Sequence, residues 1–286
     1  MAAQRKAPAR HAGKRKNHRS RQHPFLHTLL LLFSVGLFCF GLFLWKAALE
    51  LNASAPSGDA PAQGTFRPQV GNPPYRVAVD AGHGGNDPGA RGVLEEKALT
   101  SATAEELLRW LEQDPNYTPL RIRESFDVTA TPAERAAEAV KLHPQLLLSI
   151  HGNSAANGSA ASGFECYPVV PGRAWHDESV YFAGLLAEGM QQAGAALRGY
   201  GGVRYIYYLE NDQKQIVEIA HTEVRAERSF TILEDSGCPA VLAEQCFVTN
   251  PSDVERFGSE EGCKKAARIY YEAICNYFDT TPLPET

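Results

Sequence analysis

The 286-residue sequence predicts an α/β domain with a mixed, mostly parallel twisted sheet flanked by helices, preceded by a single transmembrane helix. Short, fully apolar runs alternate with longer amphipathic stretches, which is the pattern of strands and helices in such a domain. One apolar run of 21 residues near the N-terminus contains no Asp, Glu, Lys or Arg. With 44% hydrophobic residues overall, the remaining chain can form one sizeable core.

The first 74 residues divide into three segments. Residues 1–24 form a basic tail with eight Lys and Arg and no acidic residue. The apolar run at residues 25–45 is long enough for a helix to cross a hydrocarbon core of about 30 Å. Because Lys and Arg flanking such a helix stay on the cytoplasmic side, we expect a single-pass anchor with a cytoplasmic N-terminus. Residues 46–74, rich in Ala, Ser, Pro and Gly, then form a flexible linker.

A cleaved signal peptide is the alternative to the membrane anchor. Ala53-Ser54-Ala55 has the small-x-small pattern that signal peptidase recognises. The apolar stretch of a signal peptide is usually only about 7 to 15 residues long, however, so the length of the run favours an uncleaved anchor. Either interpretation places the folded domain outside the cytoplasm.

The charge and cysteine content limit the function classes. Beyond residue 46 the chain has 19 Lys and Arg against 33 Asp and Glu, a net charge of about −14. Such a domain is poorly suited to nucleic acid, whose affinity for proteins comes largely from neutralised phosphates. Five of the six cysteines follow the predicted anchor, without a CxxC pair. Most of these cysteines are expected to be buried apolar residues, and a single disulfide that includes Cys238 is the alternative.

The folded domain, predicted at residues 75–280, contains strands and helices in alternation. Thr131 as cap and Pro132 at the first helical position mark one helix start. Asp114-Pro115 marks one helix end. The predicted strands lie at 76–80, 119–123, 146–150, 164–170 and 240–244, and the predicted helices at 99–111, 132–143, 178–193 and 260–278.

Three of the apolar strands lead to a side chain that can bind a metal or transfer a proton. His83 follows the first strand, His151 comes directly after Leu-Ser-Ile, and Glu244 comes directly after Ala-Val-Leu-Ala. Two imidazoles and one carboxylate, best supplied by Glu96, are the usual ligands of a hydrolytic zinc site with an open position. Such a zinc lowers the pKa of water to about 7, and a further carboxylate, here Glu244, must take up the proton.

Each of these residues also has an ordinary structural explanation. A histidine at a strand end is most often a polar side chain that forms hydrogen bonds with its neighbours and binds no metal. Glu96 lies where a carboxylate at a helix start interacts favourably with the helix dipole. Glu244 is the strongest single candidate, because a carboxylate within an apolar strand carries a desolvation cost.

The motifs around these residues resemble the zinc-dependent N-acetylmuramoyl-L-alanine amidases of the amidase-3 family. The most specific is the segment DAGHGGNDPGA, which follows Val79 and ends at Ala90. The resemblance extends, in order, over about residues 76–278. Its other parts are Glu96-Lys97, Arg123, Asp127, Pro132 to Arg135, Leu148 to Asn153, Gly163 to Tyr167 and Pro239 to Pro251.

The resemblance implies hydrolysis of the amide between N-acetylmuramic acid and L-alanine in peptidoglycan. It implies zinc bound by His83, Glu96 and His151, with Glu244 as the catalytic carboxylate. A zinc peptidase acting on the stem peptide would keep the same ligands. A catalytically inactive wall-binding membrane protein is a third alternative, although all four site residues are present. Peptidoglycan and the membrane are the expected partners, and nothing in the sequence indicates a protein activator.

Four features depart from the family pattern or stand outside it. Gly152 replaces a small residue such as Ala, which should widen the site slightly. Cys246 lies two residues after Glu244 and should face the same side of a strand, either as a core residue or as a thiolate near zinc. The stretch 200–229 is longer than the corresponding family connection. It either shapes or regulates the site, or it is a surface loop without a role in function. Residues 216–228 within it form a helix-like run. The spare histidines His143, His176 and His221 are not expected to bind metal.

Overall fold

The structure is a computed structural model that describes residues 66–156, 158–210 and 213–285. The predicted basic tail at 1–24, the predicted anchor at 25–45 and the linker up to residue 65 lie outside these residues. Within the described ranges, no helix has the length and apolar character needed to span a bilayer. The described end of the linker contacts the domain: the carbonyl of Val70 accepts a 2.9 Å hydrogen bond from Gln145.

The domain is built on one five-stranded sheet of order β2-β1-β3-β7-β4 and a separate hairpin of β5 and β6. The first four strands of this order are parallel, and β4 is antiparallel to β7. The predicted mixed, mostly parallel sheet is therefore confirmed. In chain order the strands are β1 Tyr75–Ala81, β2 Tyr117–Arg121, β3 Leu146–Asn153, β4 Glu165–Pro168, β5 Arg204–Tyr208, β6 Lys214–Glu218 and β7 Ala240–Phe247.

Helices cover both faces of the sheet. In chain order they are α1 Glu96–Gln113, α2 Pro132–Leu142, α3 His176–Gln192, α4 Thr231–Asp235, α5 Pro251–Asp253, a π-helical turn Val254–Gly258 and α6 Glu260–Phe278. Residues of α1, α3 and α6 share one core cluster with the sheet, and residues of α2 and α4 share a second cluster. The arrangement is a three-layer α/β/α domain, as the alternation of elements predicts.

The strands are apolar throughout because both faces of the sheet are buried. In β3, Leu146, Leu148 and Ile150 belong to the first core cluster, whereas Leu147 belongs to the second. All four are fully buried. A sheet covered on both sides shows continuous apolar runs in place of an alternating pattern, which is why these strands could be recognised from the sequence.

Most predicted boundaries agree with the structure to within a few residues. The last helix, at 260–278, is as predicted. The helix after Thr131 begins with a capping box in which Thr131 and Glu134 each accept a hydrogen bond from the other's backbone. The second strand lies two residues earlier than predicted, because pairing with β1 runs from Tyr75 opposite Tyr117 to Val79 opposite Arg121.

The prediction of a helix-like run at 216–228 is wrong. Ile216 is in β6, which pairs antiparallel with β5 to form a hairpin. The residues after β6 are irregular up to a bridge between Arg228 and Tyr208. The pairing prevails because Tyr205 and Tyr207 of β5 are only 1% exposed, and the antiparallel partner satisfies their backbone.

The five cysteines in the described part of the chain are buried and free. The disulfide through Cys238, left open on the sequence, is therefore not formed with any of them. Burial raises the pKa of the Cys238 thiol to about 12, so this side chain is a neutral core residue.

A buried ion pair joins α2 to the sheet. The guanidinium of Arg135 donates to the carboxylate of Asp80 in β1, and Ser149 of β3 donates to the same oxygen at 2.8 Å. Asp80 is 0% exposed and Arg135 is 5% exposed. The pair fixes α2 against the C-terminal half of β1, immediately before the loop that carries His83.

Replacing Arg135 by Met would leave the buried Asp80 carboxylate without its cation. Removal of one partner of a buried pair costs about 3–5 kcal/mol, so we expect the free energy of unfolding to fall by that amount in urea titrations. The control is Lys141→Met on the same helix, which breaks an exposed pair with Glu138 and should cost less than about 1 kcal/mol. Similar losses for the two variants would contradict this role of the buried pair.

Candidate metal centre

The loop after β1 holds His83 in a left-handed backbone conformation, with φ of 63°. This conformation is uncommon for a residue with a side chain and needs support from its surroundings. Arg123, itself buried, supplies it by donating hydrogen bonds to the carbonyls of Ala81 and His83 and, at 2.9 Å, to that of Val128. The next residue, Gly84, has no room for a Cβ, which would lie 2.2 Å from the carbonyl oxygen of Phe126.

The imidazole of His83 is oriented by Asp87. The Nδ1 atom of His83 lies 2.8 Å from Oδ2 of Asp87, so Nδ1–H donates to the carboxylate. The opposite ring nitrogen, Nε2, lies 3.1 Å from Oε1 of Glu96. A carboxylate on one nitrogen of a histidine fixes the tautomer that leaves the other nitrogen free for a metal.

Glu96, the first residue of α1, is 5% exposed and lies between the two histidines. Its Oε1 atom is 3.0 Å from Nδ1 of His151 and accepts a 3.0 Å hydrogen bond from the backbone N–H of Gly152. Its Oε2 atom accepts a 2.9 Å hydrogen bond from the N–H of Ala90. The carboxylate of this first residue of α1 is therefore held by the loop after β1 and by the end of β3.

His83, Glu96 and His151 form one cluster, as the sequence predicts. One ligand atom from each lies within 4.8 Å of the others. The two imidazole rings are nearly perpendicular, with centroids 5.1 Å apart. Two nitrogens and one carboxylate oxygen at this spacing match the donor set of a metal site with an open position.

The titration behaviour of the cluster reflects the buried carboxylate. Burial raises the pKa of Glu96, but hydrogen bonds from His151 and His83 outweigh it and hold this pKa well below its usual range. For His83, burial lowers the pKa, and Glu96 and Asp87 more than offset the effect, so the net pKa is raised. For His151, burial prevails and the pKa is lowered.

Glu244 lies directly opposite His151 in the ladder between β3 and β7. Its Oε2 atom is buried and has no hydrogen-bond partner among the described residues. Burial raises the pKa of this carboxyl to about 8, and the negative charges of Glu96 and Glu165 add to the effect. A carboxyl group with no competing donor and a pKa near neutrality is suited to accept and return a proton.

All four predicted site residues line one cavity of about 890 Å³. The cavity extends from the His83 loop to the hairpin, where Ile206 and Lys214 contribute to its wall. Part of the stretch 200–229 therefore borders the site. This volume is large enough for a ligand of many atoms.

The expectation that Gly152 widens the site is wrong. A Cβ at this position would lie 2.8 Å from Cγ1 of Val248 and 3.3 Å from Cγ of Glu96. Val248 therefore occupies the space that a methyl group would need. What glycine provides here is the close approach of its backbone N–H to Glu96.

The expectation that Cys246 faces the same side as Glu244 is also wrong. His151 pairs with Glu244, but Asn153 pairs with Phe247, so β7 contains one extra residue between these pairs. Such a bulge reverses the alternation of the side chains that follow. Cys246 is accordingly 1% exposed in the core cluster with α1 and α6, which leaves no thiolate beside the metal cluster.

The spare histidines lie outside the cluster. His143 is the left-handed C-cap of α2, with φ of 48°. Nδ1–H of His176 donates to the carbonyl of Val169 at 2.8 Å. His221 is exposed. Sequence reasoning missed the role of Asp87, although its position four residues after a histidine in a glycine-rich loop was a usable signal.

Comparison with known proteins agrees with this geometry. A family profile described as N-acetylmuramoyl-L-alanine amidase, amidase-3, matches residues 77–276. The protein YqiI of Bacillus subtilis is 33% identical over 206 residues, which cover 71% of this chain and 84% of YqiI. The N-acetylmuramoyl-L-alanine amidase CwlM of Bacillus licheniformis is 25% identical, over 71% of this chain and 69% of CwlM.

Solved structures give the same result. The N-acetylmuramoyl-L-alanine amidase from Clostridium difficile 630 superposes with a TM-score of 0.58 at 26% identity, over 72% of this chain and 98% of that one. The catalytic domain of CwlV from Paenibacillus polymyxa superposes with a TM-score of 0.57 at 25% identity, over 72% and 99% of the two chains. The profile match spans most of the domain, and the chain therefore belongs to the amidase-3 family of N-acetylmuramoyl-L-alanine amidases.

Proposed function

We propose that this protein hydrolyses the amide bond between N-acetylmuramic acid and L-alanine in peptidoglycan, using a zinc ion held by His83, Glu96 and His151. The observation that carries the proposal is the position of this cluster in one cavity with Glu244, whose Oε2 atom lacks a partner among the described residues. The geometry supports metal-assisted hydrolysis, and membership of the family supports the choice of bond and substrate.

The residues present fit a zinc ion. Two imidazole nitrogens and a carboxylate oxygen converge within 4.8 Å, and borderline-soft zinc accepts this mixture of ligands. When bound, zinc acts as a Lewis acid that polarises a carbonyl, lowers the pKa of water to about 7 and favours the ionised form of a nearby carboxyl group.

The remaining steps belong to the side chains of the protein. Glu244 would accept a proton from the attacking water through its Oε2 atom and then deliver it to the nitrogen of the departing L-alanine. Asp87 would keep Nδ1 of His83 protonated, so that Nε2 stays directed at the cluster. Arg123 would hold the loop that carries His83 in place.

We also propose that residues 25–45 anchor the protein in the cell membrane, with the N-terminus in the cytoplasm and the catalytic domain outside. The proposal rests on the uncharged apolar run and the basic residues that precede it. An anchored enzyme would meet its polymer substrate at the outer face of the membrane.

The metal assignment predicts about one zinc per chain in the purified full-length protein. Combined His83→Ala and His151→Ala substitutions remove two of three ligands and should abolish zinc binding, whereas His143→Ala at the end of α2 should not. Chelation should stop the release of wall fragments, and added zinc should restore it. Elemental analysis that finds active protein without zinc would refute the assignment.

The two carboxylates should respond differently to conversion into amides. Glu244→Gln cannot accept the proton and should lose roughly 10²- to 10⁴-fold in activity while it retains zinc. Glu96→Gln removes an anionic ligand and should lose zinc and activity together. Zinc content and mass spectra of released fragments are measured for both.

The same spectra identify the bond that is cut. Cleavage at the proposed amide releases peptides that begin with L-alanine, whereas a stem peptidase would leave L-alanine on the muramic acid. An active, zinc-containing Glu96→Gln beside a zinc-free Glu244→Gln would mean that the two roles are reversed.

The topology predicts that protease added to intact protoplasts digests the catalytic domain but not the N-terminal tail. Antibodies against an N-terminal tag and against the domain would follow the two parts. Mature protein free in the medium, beginning near Pro56, would show instead that the Ala53-Ser54-Ala55 site is cleaved.

A further inference from the structure

The β5–β6 hairpin is a firmly attached wall of the cavity. Tyr205 and Tyr207 of β5 are 1% exposed and belong to the first core cluster, whereas Ile206 belongs to the second core cluster. The N–H of Tyr208 donates a 2.8 Å hydrogen bond to the carbonyl of Arg228. Side chains on this hairpin are therefore held at a defined position beside the site.

One cation of the cavity wall differs from the others. The three arginines that line the cavity are each paired with a carboxylate: Arg135 with Asp80, Arg198 with Glu165, and Arg228 with Asp235. Lys214, the first residue of β6, also lines the cavity and has no carboxylate partner in the ranges that the structure covers. Its charge is therefore available to a ligand.

Aromatic rings hold this ammonium group without using its hydrogen-bond donors. Nζ of Lys214 lies 5.6 Å from the ring centroid of Tyr208 and 5.9 Å from that of Phe230. These contacts are cation–π interactions, and no hydrogen bond from the three N–H groups is found among the described residues. The ammonium is also close enough to Glu244 to lower the pKa of that carboxyl, although burial outweighs the effect.

We propose that Lys214 binds a carboxylate on the peptide side of the scissile amide and so makes the enzyme selective for acidic stem peptides. The inference rests on the proposed function. In that substrate the lactyl carboxyl is consumed in the amide and the sugars carry no other charge, whereas a peptide ends in a carboxylate and carries more on acidic residues. A cation that lines the same cavity as Glu244 is thus matched to the peptide half of the substrate.

The test compares two soluble muramyl peptides that differ only in their peptide carboxyl groups, which are free in one and converted to carboxamides in the other. The full-length protein, Lys214→Met, Lys214→Arg and Lys264→Met are assayed on both. Lys264 is a matched control, because it lies on α6 away from the cavity and pairs with Glu260 and Glu261.

For Lys214→Met we expect kcat/KM on the carboxylate substrate to fall roughly three- to tenfold, mainly through KM, because the lysine is exposed and screened. On the carboxamide substrate this variant should lose clearly less, because there only the effect of the lysine on Glu244 is removed. Lys214→Arg should retain the preference for the carboxylate, and Lys264→Met should leave both rates unchanged. The preference should also shrink as salt is raised.

Two other results would overturn the inference while leaving the proposed function intact. An equal loss on both substrates would mean that Lys214 acts through Glu244 and not on the ligand. Unchanged rates on both would mean that the hairpin cation takes no part in recognition. If the unaltered protein cleaves neither substrate at the muramyl amide, the proposed function fails and the inference fails with it.

Discussion

The carboxylate of Glu96 lies where the loop after β1, the end of β3 and the start of α1 meet, and the geometry of the site depends on it. A buried anion is costly unless hydrogen bonds replace its water. Here two backbone N–H groups and two imidazole nitrogens surround it. This arrangement forms only if β1 and β3 are adjacent and parallel, because their C-terminal ends then reach the same edge of the sheet.

The glycines near Glu96 serve this close approach. A Cβ at Gly82 would lie 2.3 Å from the ring of His151, and one at Gly89 would lie 2.6 Å from Oε2 of Glu96. Side chains at these positions would push apart the groups that stabilise the carboxylate. Gly82 and Gly89 are thus explained by the space that two imidazoles and one carboxylate need, with backbone freedom as a secondary benefit at Gly89, where φ is 65°.

The parts of the fold that follow from local pattern could be predicted, and those that follow from distant pairing could not. Apolar strands and capped helices are visible in the sequence, and so are the residues that end the strands. The bulge in β7 arises where Asn153 meets Phe247, and no local signal marks it, so the direction of Cys246 was predicted wrongly. Likewise the fit of Val248 against Gly152 depends on residues far apart in the chain. The β5–β6 hairpin is local, but the burial of Tyr205 and Tyr207 that fixes it depends on the rest of the core.

The distribution of charge would allow an acidic protein to bind an acidic ligand. Beyond residue 46 the chain carries a net charge of about −14, but at physiological salt a charge is screened over about 8 Å. Distant carboxylates therefore contribute little inside the cavity, and the groups that line it decide the local potential. Because the arginines of the wall are already paired with carboxylates, the charges that act on Glu244 are chiefly the negative ones of Glu96 and Glu165 and the positive one of Lys214.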